Sequence, residues 1–128
     1  MENCYSFINS LWHRDIHMQI CKKKEGEVLI ISLNGMLDAV SAPGFDKEIG
    51  QIMEVDNSSL VFDMKELQYI SSAGLRSFLT IAKKFKAEDK KVALTSLQNI
   101  VKQVFEVSGF NQIISIYNSV DEALSNLK

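Results

Sequence analysis

The chain is poor in cysteine, histidine, excess charge and long apolar runs, and each of these scarcities argues against a class of protein. It contains only two cysteines and two histidines, and its net charge is −2. Two cysteines are too few for a disulfide framework, so we expect Cys4 and Cys21 to be reduced thiols in a cytoplasmic protein. The first residues lack the features of a signal peptide. Without an excess of positive charge the chain is a poor match to nucleic acid. No apolar run approaches the roughly 20 residues of a membrane-spanning helix, so we expect no membrane insertion.

The scarcity of histidine also bears on catalysis and on metal binding. A serine hydrolase needs a base beside its nucleophile, but His13 and His17 both precede the predicted core. At helical spacing His13, His17 and Cys21 could share a metal ion, but apolar residues alternate from 16 to 20, which predicts a strand there. No glycine-rich phosphate loop is present. We therefore predict a protein that is not an enzyme and that holds no metal and no cofactor.

What is present is the composition of an ordinary globular domain, with 46% apolar and 23% charged residues among 128. The opening alternation and the apolar run at 28–33 predict two strands, and Gly26 between them suits a turn because it can take a positive φ. These features predict an N-terminal hairpin.

After the hairpin, helical and strand patterns alternate to the end of the chain. We predict helices after Pro43, from Leu75, from Leu97 to a stop at Gly109, and after a capping box at Ser119 and Glu122, with strands near 60–62, 91–95 and 113–117. The order β-β-α-β-α-β-α-β-α predicts an α/β domain with a mostly parallel central sheet of about five strands, an N-terminal hairpin and four helices.

We assign this domain to residues 15–128 and treat residues 1–14 as an N-terminal extension. The extension is either a mobile arm or a short extra element packed through Phe7, Ile8, Leu11 and Trp12. No linker or internal repeat divides the remaining chain.

Residues 60–78, LVFDMKELQYISSAGLRSF, carry the functional signal. We predict that a buried strand ends near Asp63, that a short loop follows, and that a helix begins at residues 71–76 with Ser72 in the N-cap position. A cap alone explains neither the pair of adjacent serines nor a glycine so close to the helix start, where glycine is costly.

The stretch YISSAGLR at 69–76 resembles the signature of STAS domains, the bacterial anti-anti-sigma factors. Residues 33–38, LNGMLD, and residues 41–43, SAP, are similar to the family's strand-to-helix loop and its aspartate. Residues 92–94 and 107–110 also match. The resemblance covers about residues 16–127 and implies a STAS-like fold.

The resemblance implies a phosphorylation-controlled, partner-switching protein. In the family, the serine two positions before the glycine is phosphorylated by a serine kinase of the histidine-kinase-like ATPase fold, and here that serine is Ser72. Many members have aspartate before it, whereas this chain has Ser71, which is a second candidate acceptor. Unphosphorylated protein is expected to bind the anti-sigma factor, and phosphorylation is expected to release it. A metal-dependent serine/threonine phosphatase would reverse the modification.

The implied partner-binding set is Asp38, Ser41, Ser71, Ser72, Ala73, Gly74, Leu75 and Arg76. Three of its members have an alternative, structural explanation. Asp38 could make an Asx-type bond that starts the loop into the next helix, Gly74 could allow tight packing under its helix, and Arg76 could be an ordinary surface charge.

A second function is compatible with the same fold. STAS domains also serve as phosphate-independent scaffolds, or as regulatory subunits of lipid-transport or stress-signalling complexes. The adjacent serines favour the anti-sigma factor antagonist over these alternatives. We expect the protein to be a monomer or a weak dimer.

Overall fold

The computed structural model describes residues 3–8 and 16–127, with side chains from Met18 onward. Across these residues the elements are β1 (Asn3–Ile8), β2 (Ile16–Glu25), β3 (Val28–Leu37), α1 (Ala42–Val55), β4 (Ser59–Ile70), α2 (Ser72–Ala87), β5 (Val92–Thr95), α3 (Asn99–Val107), a 3-10 turn (Phe110–Gln112), β6 (Ser115–Tyr117) and α4 (Val120–Leu127). None of the described helices is long and apolar enough to cross a membrane.

The strands form one sheet in the order β1-β2-β3-β4-β5-β6. The pairs β1–β2 and β2–β3 are antiparallel, whereas β3 to β6 are parallel to one another. Residues of α1, α2 and α3 pack into one core cluster on one face of the sheet, as expected when sequential parallel strands are joined by crossovers of the usual right hand. The predicted α/β fold, with its N-terminal hairpin and four helices, is confirmed.

The larger core lies between the sheet and α1, α2 and α3. Phe78 of α2 is at its centre, with its ring centroid 5.1 Å from that of Phe62, 5.4 Å from that of Phe45 and 5.8 Å from that of Phe105. A smaller cluster on the opposite face packs α4 through Ala123. One aromatic side chain therefore joins all three helices on the first face to β4.

The turn and cap signals near the ends of several elements agree with the structure. Gly26 and Gly109 have φ of 61° and 79°, and Gly109 follows the end of α3 as a C′ residue. At the start of α4, Ser119 Oγ accepts a hydrogen bond of 3.1 Å from the Glu122 amide. These local signals identify element boundaries because they satisfy specific backbone groups.

Strand β1 adds a sixth strand to the five predicted. Residues 3–8 within the N-terminal extension pair with β2, which favours the short extra element over a mobile arm. Residues 11–13, including Trp12 and His13, lie outside the described residues. His17 lies in β2, as the alternating pattern predicted.

The prediction of a reduced thiol is wrong for Cys21, which is disulfide-bonded. The chain's other cysteine, Cys4, is the residue directly opposite Cys21 in the register of β1 and β2. A count of cysteines could not reveal this arrangement because it depends on the pairing of an unpredicted strand.

Strand β4 is longer than predicted. It does not end near Asp63 but continues to Ile70, and two register shifts against β3 interrupt its regular pairing. Because of these irregularities, Met64, Leu67 and Ile70 all face the core although they are three residues apart. Because buried residues in this part of β4 are three apart instead of two, a strict alternation pattern does not predict it as a strand.

A polar cluster connects the tip of the β2–β3 hairpin to the loop between α1 and β4. This cluster lies at the end of the sheet where β4 begins, away from the carboxyl end of that strand. Lys24 Nζ lies 3.0 Å from Asp56 Oδ1, and the Ser58 amide donates to the same oxygen over 2.9 Å. Burial acts to raise the pKa of Asp56, but the hydrogen bonds from Ser58 and Lys24 outweigh it and hold the pKa below its ordinary value.

Replacing Asp56 should therefore destabilise the protein in a pH-dependent way. We expect Asp56→Asn to lower the free energy of unfolding by about 1 kcal/mol at neutral pH. Because the folded pKa is lowered, this contribution is present above the ordinary value of 3.8 and is lost as pH falls through the folded pKa. Urea unfolding at several pH values measures it. Asp46→Asn, at an exposed carboxylate on α1, is the control. Equal losses in both variants would contradict the assignment.

Candidate functional site

The site predicted from the sequence lies where β3 and β4 end. Leu37 and Ile70 are register partners at the last position of each strand, and both are buried. The Ser71 amide donates a hydrogen bond of 2.9 Å to the Leu37 carbonyl. The loop that begins at Asp38 and the start of α2 are therefore side by side, as the predicted topology requires.

Ser71, rather than Ser72, is the N-cap of α2. Ser71 has extended backbone dihedrals, its Oγ accepts a hydrogen bond of 3.4 Å from the Gly74 amide, and its carbonyl accepts one of 2.9 Å from the Leu75 amide. The prediction that Ser72 is the cap is wrong by one residue. Because Ser72 is not needed for capping, its side chain has no such structural task.

Ser72 is the first residue of α2, and it is exposed. Its hydroxyl makes no hydrogen bond to any side chain or backbone group in the described part of the chain. Ser71, by contrast, is half-buried. The structure thus separates the two adjacent serines into one that holds the helix start and one that faces solvent.

Asp38 and Ser41 organise the loop between β3 and α1. Asp38 Oδ1 accepts hydrogen bonds from the amides of Val40, at 3.0 Å, and Ser41, at 3.1 Å. Ser41 Oγ donates to the Met36 carbonyl over 2.7 Å and accepts from the Asp38 amide over 3.0 Å. This is the Asx-type arrangement that was the structural explanation for Asp38. Ser41 is buried, so its hydroxyl serves the loop.

Gly74 is buried where α2 crosses the ends of both strands. A Cβ atom at this position would lie 2.7 Å from Ile70 Cγ1, 2.9 Å from Leu37 Cγ and 2.9 Å from the Leu37 carbonyl oxygen. Because the last of these atoms belongs to the backbone, it cannot move aside cheaply. Glycine is required here for close packing, which was the structural explanation for this residue.

The remaining members of the predicted set divide by exposure. Ala73 and Leu75 are partly buried against the core, whereas Arg76 is exposed one turn beyond Ser72. Arg76 also lines a shallow groove of about 280 Å³ between α1 and α2, together with Ala39, Ala42, Pro43, Asp46, Ala73, Ser77 and Thr80. Ser72 and Arg76 are thus the two most accessible positions of the set.

Three exposed apolar side chains at the same edge were not predicted as site residues. Met36, Val40 and Tyr69 are 39%, 55% and 45% exposed, and we call them the apolar rim. Met36 and Tyr69 are register partners on adjacent strands. Since Leu37 and Ile70 point into the core, alternation places their neighbours on the opposite side, and this is the signal that could have identified two of the three.

The described residues contain no group of three or more histidine, cysteine, aspartate or glutamate side chains arranged to hold a metal ion. The site instead brings together, at the ends of β3 and β4 and the start of α2, the unbonded Ser72 hydroxyl, the Arg76 cation and the exposed residues of the apolar rim. Such a surface can contact another protein and can accept a covalent modification at the hydroxyl.

Comparison with known proteins identifies relatives over most of the chain. The family model of the STAS domain matches residues 19–123. BtrV of Bordetella bronchiseptica, a candidate anti-sigma factor antagonist, is 32% identical over 111 residues, which cover 87% of this chain and 96% of BtrV. An anti-sigma-B factor antagonist of Listeria monocytogenes is 26% identical over 105 residues, covering 82% of this chain and 92% of the relative.

Solved structures with the same fold include the anti-sigma factor antagonist SpoIIAA of Bacillus. Its unphosphorylated form has a TM-score of 0.71 and 18% identity, covering 84% of this chain and 94% of SpoIIAA. Its phosphorylated form has a TM-score of 0.65 and the same identity, covering 85% and 99%. At this identity the likeness concerns the fold.

The contacts around Gly74 predict opposite effects for two glycine-to-alanine changes. We expect Gly74→Ala to lower the free energy of unfolding by about 1–2 kcal/mol, because the clash with the Leu37 backbone exceeds the gain in helix propensity. Gly50 lies in α1 with nothing within 4 Å of its Cβ position, so Gly50→Ala should stabilise by up to about 1 kcal/mol. Chemical unfolding of both variants tests this, and stabilisation by both would contradict the packing role of Gly74.

Proposed function

The chain belongs to the STAS domain family, and we propose that within it the protein works as an anti-sigma factor antagonist that is switched by phosphorylation of Ser72. The proposed partner is an anti-sigma factor that is also a serine kinase of the histidine-kinase-like ATPase fold. The unphosphorylated protein binds it, and the phosphorylated protein releases it. A metal-dependent serine/threonine phosphatase returns the protein to its binding form. The protein acts in the cytoplasm and is not itself an enzyme.

The exposed, unbonded hydroxyl of Ser72 is the observation that carries the proposal. A kinase must reach its acceptor oxygen, and Ser72 presents that oxygen at the surface. Modification of Ser71 would esterify the oxygen that caps α2 by accepting a hydrogen bond from the Gly74 amide, and would place a bulky phosphate in that half-buried position. The two positions therefore differ in what phosphorylation would cost the fold, which favours Ser72 as the acceptor.

The fold should tolerate a phosphate on Ser72. The phosphate adds about −1.5 to −2 charge, and Ser72 is the first residue of α2, where free backbone amides and the positive end of the helix dipole favour an anion. The cost falls instead on a partner that has closed over a small neutral hydroxyl, because a dianion in that interface must be desolvated. Binding is then lost without unfolding.

The apolar rim supports a protein as the partner. Met36, Val40 and Tyr69 expose apolar surface near the ends of β3 and β4, where α2 and Ser72 also begin, and exposed apolar side chains close to a modification site are suited to contact with a protein. The rigid loop held by Asp38 and Ser41 fixes Val40 in place, because the Val40 amide is bonded to the Asp38 carboxylate. A preformed surface of this kind loses little conformational entropy on binding.

The phosphorylation itself is tested by incubating the protein with kinases of the histidine-kinase-like ATPase fold and ATP, followed by intact mass measurement and peptide mapping. We expect one added phosphate on Ser72 and none on Ser72→Ala. Ser71→Ala should still be modified. No phosphate from any such kinase would contradict the switch and favour a phosphate-independent scaffold or a subunit of a larger complex.

The charge itself should control partner binding. We expect Ser72→Asp to weaken binding to the anti-sigma partner by tenfold or more, since about 1.4 kcal/mol of desolvation and repulsion suffices for that change. Ser72→Asn has nearly the same shape without the charge and should bind much more like the parent protein. Calorimetric titration measures both affinities. Equal affinity of the aspartate and asparagine variants would show that charge at Ser72 is not the signal.

Two exposed valines test the role of the apolar rim. Val40 and Val107 are 55% and 89% exposed, and Val107 lies at the end of α3. We expect Val40→Ser to weaken binding to the anti-sigma partner several-fold, since apolar contact area is lost, and Val107→Ser to leave it unchanged. Thermal unfolding of both variants checks that the fold is intact. A similar loss in both would exclude a specific role for the rim.

A further inference from the structure

Arg76 is an exposed cation in the first part of α2. Its side chain is exposed on α2 and makes no ion pair or hydrogen bond within residues 18–127. Asp46 lines the same groove but is not paired with it. Another cation of the helix, Lys84, pairs with Glu88 at 3.5 Å. What distinguishes Arg76 from the other exposed cations of α2 is its position one turn from the proposed phosphorylation site.

We propose that Arg76 is the internal counter-ion of a phosphate on Ser72. Ser72 and Arg76 are four residues apart on one helix, so their side chains lie on the same face. Helical side chains lean towards the N-terminus, which directs the guanidinium back over Ser72. An anion that precedes a cation by four residues is the more favourable order of such a pair. The planar guanidinium can also donate two parallel hydrogen bonds to phosphate oxygens.

The distance along the chain to Arg76 also distinguishes Ser72 from Ser71. Arg76 is five residues after Ser71, which places the two side chains on different faces of α2. A phosphate on Ser71 would therefore not meet this cation, so Arg76 adds a reason for the modification to act through Ser72. Phosphorylation would add an anion at Ser72 and would also pair the previously exposed Arg76 cation. One modification would therefore change the charge that a partner meets at both Ser72 and Arg76.

The inference depends on the proposed function only for the position of the phosphate. It is tested on the full-length chain with phosphoserine introduced at position 72 during translation, so that no kinase is needed. The second pKa of the phosphate is measured by phosphorus NMR in this protein, in Arg76→Gln and in Lys83→Gln. The control removes an exposed cation of the same helix, eleven residues from Ser72, or about 16 Å along the helix axis.

A guanidinium beside the phosphate stabilises the dianion and lowers its pKa. We therefore expect Arg76→Gln to raise the phosphate pKa by about 0.3 units or more, and Lys83→Gln to change it by less than about 0.1. Arg76→Lys should recover part of the shift. Asp46, which lines the same groove as Arg76, and Asp38, in the loop beside the start of α2, are unchanged in every variant, so the difference reports the cation alone.

Equal shifts in the two glutamine variants, or no shift in either, would overturn the proposal. Because the phosphate is installed without a kinase, a failure of the proposed switch is seen separately, as missing phosphorylation of Ser72 or unchanged partner binding. The pKa measurement is unaffected by that failure.

Discussion

The close contact between Gly74 and the ends of β3 and β4 is the constraint on which the rest of the site depends. Leu37 and Ile70 end neighbouring parallel strands, and α2 passes over both with no space for a Cβ atom. The bond from the Ser71 amide to the Leu37 carbonyl fixes the residue at which the helix begins. One residue of change in that starting point would exchange the roles of the two adjacent serines.

The same constraint extends into the core through α2. Four residues after Gly74, Phe78 contacts aromatic rings from α1, β4 and α3, so the axial position and rotation of α2 are held by packing on three sides. Close-packed interiors resist small displacements, because each shift loses contacts with several neighbours. The start of α2 is therefore a rigid point on the surface rather than a frayed helix end.

Much of this arrangement could be predicted from the sequence, since it depends on periodicity and local caps. The hairpin, the four helices and the position of Asp38 beside the helix start follow from apolar spacing and from the topology of sequential parallel strands. The length of β4 does not follow, because its register shifts put Met64, Leu67 and Ile70 on one face at a spacing that strands do not normally show.

The assignment of the N-cap failed for a different physical reason. Ser71 and Ser72 are both good caps by residue type, and propensity cannot choose between neighbours. The choice is made by tertiary contacts, since the Ser71 amide bonds to β3 while its side chain faces the Gly74 amide. The disulfide at Cys21 was missed in the same way, because it depends on which residue lies opposite in an adjacent strand.

The rigidity of the start of α2 determines how a modification of the Ser72 hydroxyl can act. If the helix start were mobile, a phosphate could be accommodated by local rearrangement, and a partner could follow it. Here Asp38, Ser41, Ser71 and Gly74 all make hydrogen bonds or close contacts at this end of the sheet, so a backbone movement that accommodated an added charge would break those contacts. If Ser72 is phosphorylated as we propose, the residues that make the site rigid are those that confine the effect of the phosphate to the surface, where the partner and the side chain of Arg76 respond to it.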